Sequence, residues 1–146
     1  QGACGQTVGD ILRRLEEAVG AEPDAVLLMM GANDIVCGVP SSVTLDGYAR
    51  VIVGLKRGVP GVKVLANSLI PSRGGAWGVQ NKVVRALNGG IGRVAGKGGA
   101  VFLDNHGAFT DGQGHLRAEL TDDGVHLTPQ GYRVWEDALR PHLDML

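Results

Sequence analysis

Ala25-Val-Leu-Leu-Met-Met30, which Gly31 follows at once, is the stretch that decides the fold class of this chain. An unbroken apolar run of this kind is typical of a parallel strand covered on both faces, because a half-exposed strand alternates apolar with polar residues. We predict two further strands, over 62–68 and 100–104. The chain therefore supplies at least three strands to a sheet.

Segments with the apolar spacing of an amphipathic helix alternate with these strands. They cover 7–20, 44–58, 83–94 and the stretch from 128 onward. In the last helix, which Thr128 can cap, the expected buried stripe consists of Tyr132, Trp135, Leu139 and Leu143. Helices that alternate with strands require parallel strands joined by crossovers, with helices on both faces of the sheet. We therefore predict an α/β fold with a doubly wound parallel sheet, which binds ligands beyond the carboxyl ends of its strands.

Composition narrows the class of protein. A chain of 146 residues, 44% hydrophobic and 20% charged, is typical of one globular domain. The 14 basic and 15 acidic residues are scattered, which argues against binding to nucleic acid or to an anionic membrane. No apolar run approaches the roughly 18 residues that a membrane span needs. Cys4 and Cys37 form neither a disulfide framework nor a metal-ligand spacing, and they leave the compartment open.

Two polar motifs stand where chemistry is expected. Asn33, in Gly31-Ala-Asn33-Asp34, follows the first strand and could donate a hydrogen bond into a cleft, although an Asn after a Gly also commonly forms a turn. In Asp123-Gly-Val-His126 a carboxylate precedes an imidazole by three residues. Such a carboxylate can bind one ring nitrogen and leave the other to act as a general base, although the pair could equally belong to a solvated turn.

Other candidate residues give weaker signals. His106, His115 and His142 are expected at the surface or in satisfied polar roles, and their spacing does not match a metal site. Gly5 lies in a glycine-rich turn before the first helix and brings a backbone N–H to the same edge of the sheet. That turn has neither of the glycine patterns that bind nucleotide phosphates, so a nucleotide-binding fold is the poorer explanation.

Taken together and in order, Gly2-Ala-Cys-Gly5-Gln-Thr7, Gly31-Ala-Asn33-Asp34 and Asp123-Gly-Val-His126 resemble the second, third and fifth sequence blocks of the SGNH/GDSL hydrolases. Phe109-Thr-Asp-Gly112 and Leu127-Thr-Pro-Gln-Gly-Tyr132 extend the resemblance over essentially the whole chain. It implies a flavodoxin-like sheet with strand order 2-1-3-4-5.

The resemblance also implies a role for each site residue. The Gly5 N–H and the Asn33 side-chain nitrogen would stabilise an oxyanion. Asp123 would orient a histidine, and His126 would be the general base. These roles agree with the chemistry of an acyl-transfer site, which needs a base, an orienting carboxylate and donors aimed at the developing negative oxygen.

The chain departs from this family at the nucleophile. The family's first block is Gly-Asp-Ser, whereas here Gly9-Asp10 is followed by Ile11. We expect that block, the first two strands and the helix between them to lie upstream of Gln1. Residues 1–146 would then be a single SGNH hydrolase domain, truncated at its N-terminus, that contains the third to fifth strands.

Three residues inside the chain could in principle replace the serine. Ser68 and Ser72 follow the second predicted strand, and Cys4 adjoins Gly5. None stands at the family's position; we expect Ser68 and Cys4 to be packing or lining residues, and Ser72 could line the cleft.

The function expected from the resemblance is that of a carboxylic ester hydrolase, such as an esterase, acetylesterase or lipase, without a metal or organic cofactor. Its partner would be a small-molecule ester, selected by loops at 40–44 and 71–78. The alternative is a non-catalytic module that binds carbohydrate or lipid esters. The strand over 25–30 would also have an open edge, through which we expect self-association.

Overall fold

The computed structural model describes residues 5–74 and 80–143 of the chain. Within them, helices and strands alternate along the sequence. The elements are α1 (Val8–Arg13), α2 (Leu15–Gly20), β1 (Ala25–Leu28), α3 (Ala32–Val36), α4 (Ser41–Gly58), β2 (Lys63–Asn67), α5 (Asn81–Lys97), β3 (Val101–Leu103) and α6 (Pro129–Leu143). Two short 3-10 helices, His106–Phe109 and Ala118–Leu120, lie between β3 and α6.

The three strands form one parallel sheet in the order β1-β2-β3. Ala25 lies opposite Lys63 in the first pairing, and Leu65 lies opposite Val101 in the second. Each pair is parallel because a crossover with a long helix joins its strands, α4 between β1 and β2 and α5 between β2 and β3. The predicted α/β class with a parallel sheet is confirmed.

Helices cover both faces of the sheet. Successive residues of a strand point to opposite sides, so neighbouring residues of β2 show what packs on each face. On one face, Val64 and Ala66 of β2 are buried in the larger core with residues of α4 and α5. On the other face, Leu65 of β2 packs with Leu139 and the half-buried Trp135 of α6. The sheet is therefore doubly wound, and the carboxyl ends of its strands remain free to hold a site.

β1 is an edge strand that, within the described ranges, pairs only with β2. Val26 and Leu28 face the larger core, whereas Leu27 and Met29 are 37% and 38% exposed. The apolar cluster beneath α6 does not include these two side chains. A cavity of about 390 Å³ also opens between α1, α2, β1 and α4. Among the described residues, the β1 edge thus has no second strand partner and carries partly exposed apolar side chains beside it.

Three helices differ from their predicted bounds. The first is divided at Arg14, whose φ of −106° and ψ of 11° interrupt the helix. α4 begins at Ser41, earlier than predicted, and α5 continues to Lys97 in spite of its glycines. At Gly90 the absence of a side chain serves packing, because a Cβ there would lie 2.6 Å from Leu45 Cδ1 of α4. Glycine lets the two helices approach closely.

The last helix begins where the sequence predicts, and Thr128 Oγ1 accepts a hydrogen bond from the Gly131 N–H at 3.2 Å. Its predicted buried stripe was half wrong. Tyr132 and Leu143 are exposed, because α6 turns Val134 rather than Tyr132 toward the 3-10 helices. In the described part of the chain, no helix has the length and apolar character to cross a membrane.

Candidate active site

Asp123 and His126 form a hydrogen-bonded pair in the loop before α6. The Nδ1 of His126 lies 2.6 Å from Asp123 Oδ2. The other carboxylate oxygen, Oδ1, accepts the backbone N–H groups of Val125 at 2.9 Å and of His126 at 2.8 Å. Since the carboxylate is the acceptor, the ring proton sits on Nδ1 and the lone pair of a neutral ring sits on Nε2.

These hydrogen bonds determine the charge of Asp123. The imidazole of His126 and the backbone N–H groups of His126 and Val125 hold the pKa of the Asp123 carboxyl far below its usual range. The carboxylate therefore stays ionised over the range in which a histidine titrates. The side chains of Asp123 and His126 are 54% and 74% exposed, and His126 Nε2 makes no hydrogen bond with a described residue.

Hydrogen bonds within the loop stabilise the turn that carries Asp123 and His126. Thr121 Oγ1 accepts the Gly124 N–H at 2.9 Å, and Thr121 forms an antiparallel bridge with Leu127. Gly124 adopts a φ of +86°, in the left-handed region that favours glycine. The tight turn explains why a carboxylate and an imidazole three residues apart can meet.

Asn33 occupies the second part of the candidate site. It lies in α3, a short helix that the sequence patterns do not predict, directly beyond the carboxyl end of β1. Its Nδ2 donates to the Gln6 carbonyl at 2.9 Å, which ties it to the turn that contains Gly5. Gly5 has a φ of +75° and is exposed. The structure thus places Asn33 beside the turn that contains Gly5, the other residue predicted as an oxyanion donor.

Asp34 anchors this arrangement from below and was not predicted from the sequence. It is 2% exposed, and its Oδ2 accepts the Val8 N–H at 2.9 Å. Its Oδ1 accepts the Thr44 hydroxyl at 3.2 Å. Because Val8 is the first residue of α1, the carboxylate satisfies a helix-terminal N–H that would otherwise be buried without an acceptor. The sequence indicates this role of Asp34 only weakly, through a polar residue one position after Asn33.

The Asp123–His126 pair and the Asn33–Gln6 contact lie at the same edge of the sheet. Asn33 follows β1, and the turn at Gly124 packs on the segment after β2, where the Arg73 N–H donates to the Gly124 carbonyl at 2.8 Å. β1 and β2 are parallel neighbours, so both segments lie beyond carboxyl ends. No hydrogen bond joins the two halves directly among the described residues.

The serines considered as substitute nucleophiles are buried. Ser68 has no exposed surface, and its Oγ accepts the Asn105 N–H at 3.0 Å. Ser72 is 3% exposed, and its N–H donates to Asn81 Oδ1 at 2.8 Å. Both serines therefore support loops. Cys4 lies outside the described residues, as does part of the predicted substrate loop at 71–78.

The other histidines lie in different surroundings. His106 is half-buried, its Nδ1 lies 2.9 Å from the Leu69 carbonyl, and its Nε2 is buried without a described hydrogen-bond partner. His115 is exposed. His142 lines a cavity of about 330 Å³ beside Lys63 and Val101, at the amino ends of β2 and β3 and so opposite the candidate site. None of the three joins the Asp123–His126 pair.

Comparisons with known proteins agree on one family and one fold. A family model described as the GDSL-like Lipase/Acylhydrolase family matches residues 1–134. A protein from Streptococcus pneumonia, provisionally described as a platelet activating factor, is 27% identical with a TM-score of 0.88, over 95% of this chain and 69% of that one. Among curated proteins, none gives a significant match.

Two further solved structures share the fold. A GDSL-like lipase from Bacteroides thetaiotaomicron is 24% identical with a TM-score of 0.88, over 99% of this chain and 74% of that one. An acetylxylan esterase from Geobacillus stearothermophilus is 22% identical with a TM-score of 0.77, over 93% of this chain and 67% of that one. The three structures show that the sheet and its helices follow a known hydrolase architecture.

Proposed function

Because this chain belongs to the GDSL-like lipase/acylhydrolase family, we propose that it carries the base, the orienting carboxylate and two oxyanion donors of a serine ester hydrolase. In this proposal His126 is the general base and Asp123 orients it. Gly5 and Asn33 stabilise the oxyanion. The serine would come from a Gly-Asp-Ser segment that residues 1–146 do not contain, and these residues would form a single domain.

The 2.6 Å contact between His126 Nδ1 and Asp123 Oδ2 is the observation that carries the proposal. A carboxylate on Nδ1 fixes the tautomer and stabilises the imidazolium that forms when Nε2 takes a proton. His126 Nε2 would take the proton of the serine hydroxyl while the serine oxygen attacks the ester carbonyl. The same nitrogen would then give that proton to the leaving alcohol, which breaks the ester bond and leaves an acyl-enzyme.

The second half of the reaction uses the same groups. A water molecule would give a proton to His126 Nε2 and attack the acyl carbonyl. The tetrahedral intermediate would collapse to release the acid, and Nε2 would return its proton to the serine oxygen. No metal or organic cofactor enters this sequence of steps.

Asn33 retains a donor for the oxyanion. A carboxamide has two N–H groups, and the contact with the Gln6 carbonyl uses one of them. That contact also restrains the rotation of the amide, so the second N–H is held without further loss of entropy when charge develops on the substrate oxygen. The Gly5 N–H, in a turn with a φ of +75°, would be the other donor.

Three observations support a nucleophile from outside residues 1–146. The family's Gly-Asp-Ser block does not occur in the chain. Ser68 and Ser72 are buried and hydrogen-bonded in loops. The edge of β1, with Leu27 and Met29 partly exposed beside it, has the character of a surface that another strand covers.

The substrate we propose is a small acyl or acetyl ester. The Bacteroides thetaiotaomicron relative is described as a lipase and the Geobacillus stearothermophilus relative as an acetylxylan esterase, so both act on esters. The competing hypothesis is a module that binds carbohydrate or lipid esters without cleaving them, which the missing Gly-Asp-Ser block favours. The contact between His126 Nδ1 and Asp123 Oδ2 argues for the hydrolase, because a binding module does not need an oriented base.

Hydrolysis of p-nitrophenyl acetate by a version of the protein that includes the serine-bearing segment tests the proposal. His126→Ala and Asp123→Asn should each lower kcat by roughly 10⁴-fold, the usual loss for a broken catalytic triad. His115→Ala, which changes an exposed histidine elsewhere, is the matched control and should retain activity. Ester binding without turnover in the unchanged protein would support the non-catalytic module instead.

A further inference from the structure

Arg73, in the segment after β2, contacts two other segments that follow the sheet. Its backbone N–H donates to the carbonyl of Gly124, in the turn between Asp123 and His126. Its side chain donates to the Leu116 carbonyl and forms an ion pair with Asp111. Leu116 and Asp111 both lie in the segment after β3. We infer that Arg73 is a positioning residue that fixes the Asp123–His126 pair relative to the sheet, an inference that rests on the proposed function.

The side chain of Arg73 is well restrained. Its Nε donates to the Leu116 carbonyl and its Nη2 to Asp111 Oδ2. The other carboxylate oxygen of Asp111 accepts the N–H groups of Gln113 and His115, each at 2.9 Å. These backbone bonds, together with the Arg73 charge, lower the pKa of the Asp111 carboxyl, so the partner of Arg73 stays charged. A guanidinium that binds a carbonyl and a carboxylate together has a fixed orientation.

The backbone of Arg73 connects the restrained side chain to the turn between Asp123 and His126. The bond to the Gly124 carbonyl is 2.8 Å long. A Cβ on Gly124 would lie 2.9 Å from the Gly74 carbonyl oxygen and 3.3 Å from that of Arg73, so the two segments are in direct contact. A movement of Arg73 would therefore move Gly124, and with it the carboxylate of Asp123.

The neighbouring residue shows which contacts would remain without the guanidinium. Ser72 is held by the side chain of Asn81, which accepts the Ser72 N–H and donates to the Ser72 carbonyl, both at 2.8 Å. Asn81 also donates to the Gly114 carbonyl at 3.0 Å. The segment would stay attached to the rest of the fold in an Arg73 variant, so the expected effect is local to the turn at Gly124.

Hydrogen exchange of individual backbone amides tests the inference in residues 1–146, without any need for activity. In Arg73→Gln, the N–H groups of Val125 and His126, which donate to Asp123, should exchange roughly tenfold faster, while amides in α4 keep their rates. Arg117→Gln is the matched control, because Arg117 also combines a carboxylate, Glu119, with a backbone carbonyl but does not reach Gly124. Equal exchange at these two amides in Arg73→Gln and the unchanged chain would overturn the inference.

Kinetics in a version with the serine-bearing segment separates positioning from simple stability. Arg73→Gln should lower kcat about tenfold with little change in KM, since the residue would orient the base and not bind the ester. Arg73→Lys should recover part of the loss, because it keeps the charge opposite Asp111 and loses the Nε donor. An unchanged kcat in Arg73→Gln would contradict the inference. Inactivity of the unchanged protein would contradict the proposed function, while faster exchange in Arg73→Gln would still support a role in holding the turn.

Discussion

The Asn33 side chain and the Gln6 backbone are joined by one hydrogen bond of 2.9 Å, which links the end of β1 to the turn before α1. The buried carboxylate of Asp34 makes a parallel link to the first residue of α1. Two adjacent side chains of α3 therefore hold the Gly5 turn against the carboxyl edge of the sheet. These hydrogen bonds connect the segments that carry the two proposed oxyanion donors, the Gly5 N–H and the Asn33 side chain.

Removal of the Asn33 amide should affect turnover more than stability. In a version with the serine-bearing segment, Asn33→Ala should lower kcat for p-nitrophenyl acetate by roughly 10²- to 10³-fold, the usual loss for one oxyanion donor. Gln6→Ala is the control, because it removes that side chain and retains the carbonyl that Asn33 binds. A neutral Asn33→Ala result would mean that the residue only shapes the local backbone.

The turn between Asp123 and His126 should not tolerate a side chain at Gly124. An alanine there would adopt a φ of +86°, which costs an L-residue about 1–2 kcal/mol, and would also press its Cβ against the Gly74 carbonyl. Gly114→Ala is the matched control, since Gly114 has a φ of +84° and faces only the end of the Arg85 side chain. In urea denaturation, Gly124→Ala should lower the free energy of unfolding more than Gly114→Ala does. Equal losses would contradict the close contact.

The lowered pKa of Asp123 predicts a loss of stability in acid. The folded state binds the ionised carboxylate through His126 and Val125, so the stability that it gains is present above the unfolded pKa of about 3.9 and is lost as the pH falls further. The free energy of unfolding should therefore decrease less between about pH 5 and about pH 3 in Asp123→Asn than in the unchanged chain. These two pH values lie about one unit above and below the unfolded pKa. Asp122→Asn, whose carboxylate makes none of these bonds, should behave like the unchanged chain. If the unchanged chain, Asp123→Asn and Asp122→Asn lost the same free energy of unfolding between these pH values, the lowered pKa of Asp123 would be contradicted.

The open edge of β1 predicts association of the isolated chain. Leu27 lies on that strand and is 37% exposed. We expect size-exclusion chromatography of residues 1–146 to show species larger than a monomer at high concentration, and Leu27→Lys to reduce them, because a charge on an edge strand opposes further pairing. Val53→Lys changes a similarly exposed residue on α4 and should have no such effect. A stable monomer at all concentrations would mean that something else covers the edge.

Sequence patterns were sufficient for the features that depend on local spacing. The run at 25–30 and its glycine predict β1, because continuous apolar residues followed by glycine are typical of a parallel strand, although Leu27 and Met29 leave one face of that strand partly exposed. Asp123 and His126 can be predicted to meet because they are close in sequence and Gly124 permits a tight turn. Their catalytic roles, and those of Gly5 and Asn33, stay predictions.

Features that depend on distant parts of the chain could not be predicted. Tyr132 follows the apolar spacing of α6, yet it is exposed because its burial depends on which elements pack against that helix. The contact between Arg73 and Gly124 joins segments far apart in sequence, and no periodic pattern indicates it. In the sequence Asp34 is typical of a turn residue, and only the structure shows that its carboxylate accepts the Val8 N–H.

Our central claim is that His126 activates a serine that residues 1–146 do not contain. Labelling with a serine-directed fluorophosphonate tests it most directly, because the probe reacts only with a serine that a base activates. Residues 1–146 alone should not be labelled, and a version with the serine-bearing segment should be labelled stoichiometrically. His126→Ala should remove that labelling, since His126 can act only on a hydroxyl held within about 2.6–3.2 Å of it. Stoichiometric labelling of residues 1–146 alone, abolished by His126→Ala, would contradict the claim and place the nucleophile inside this chain.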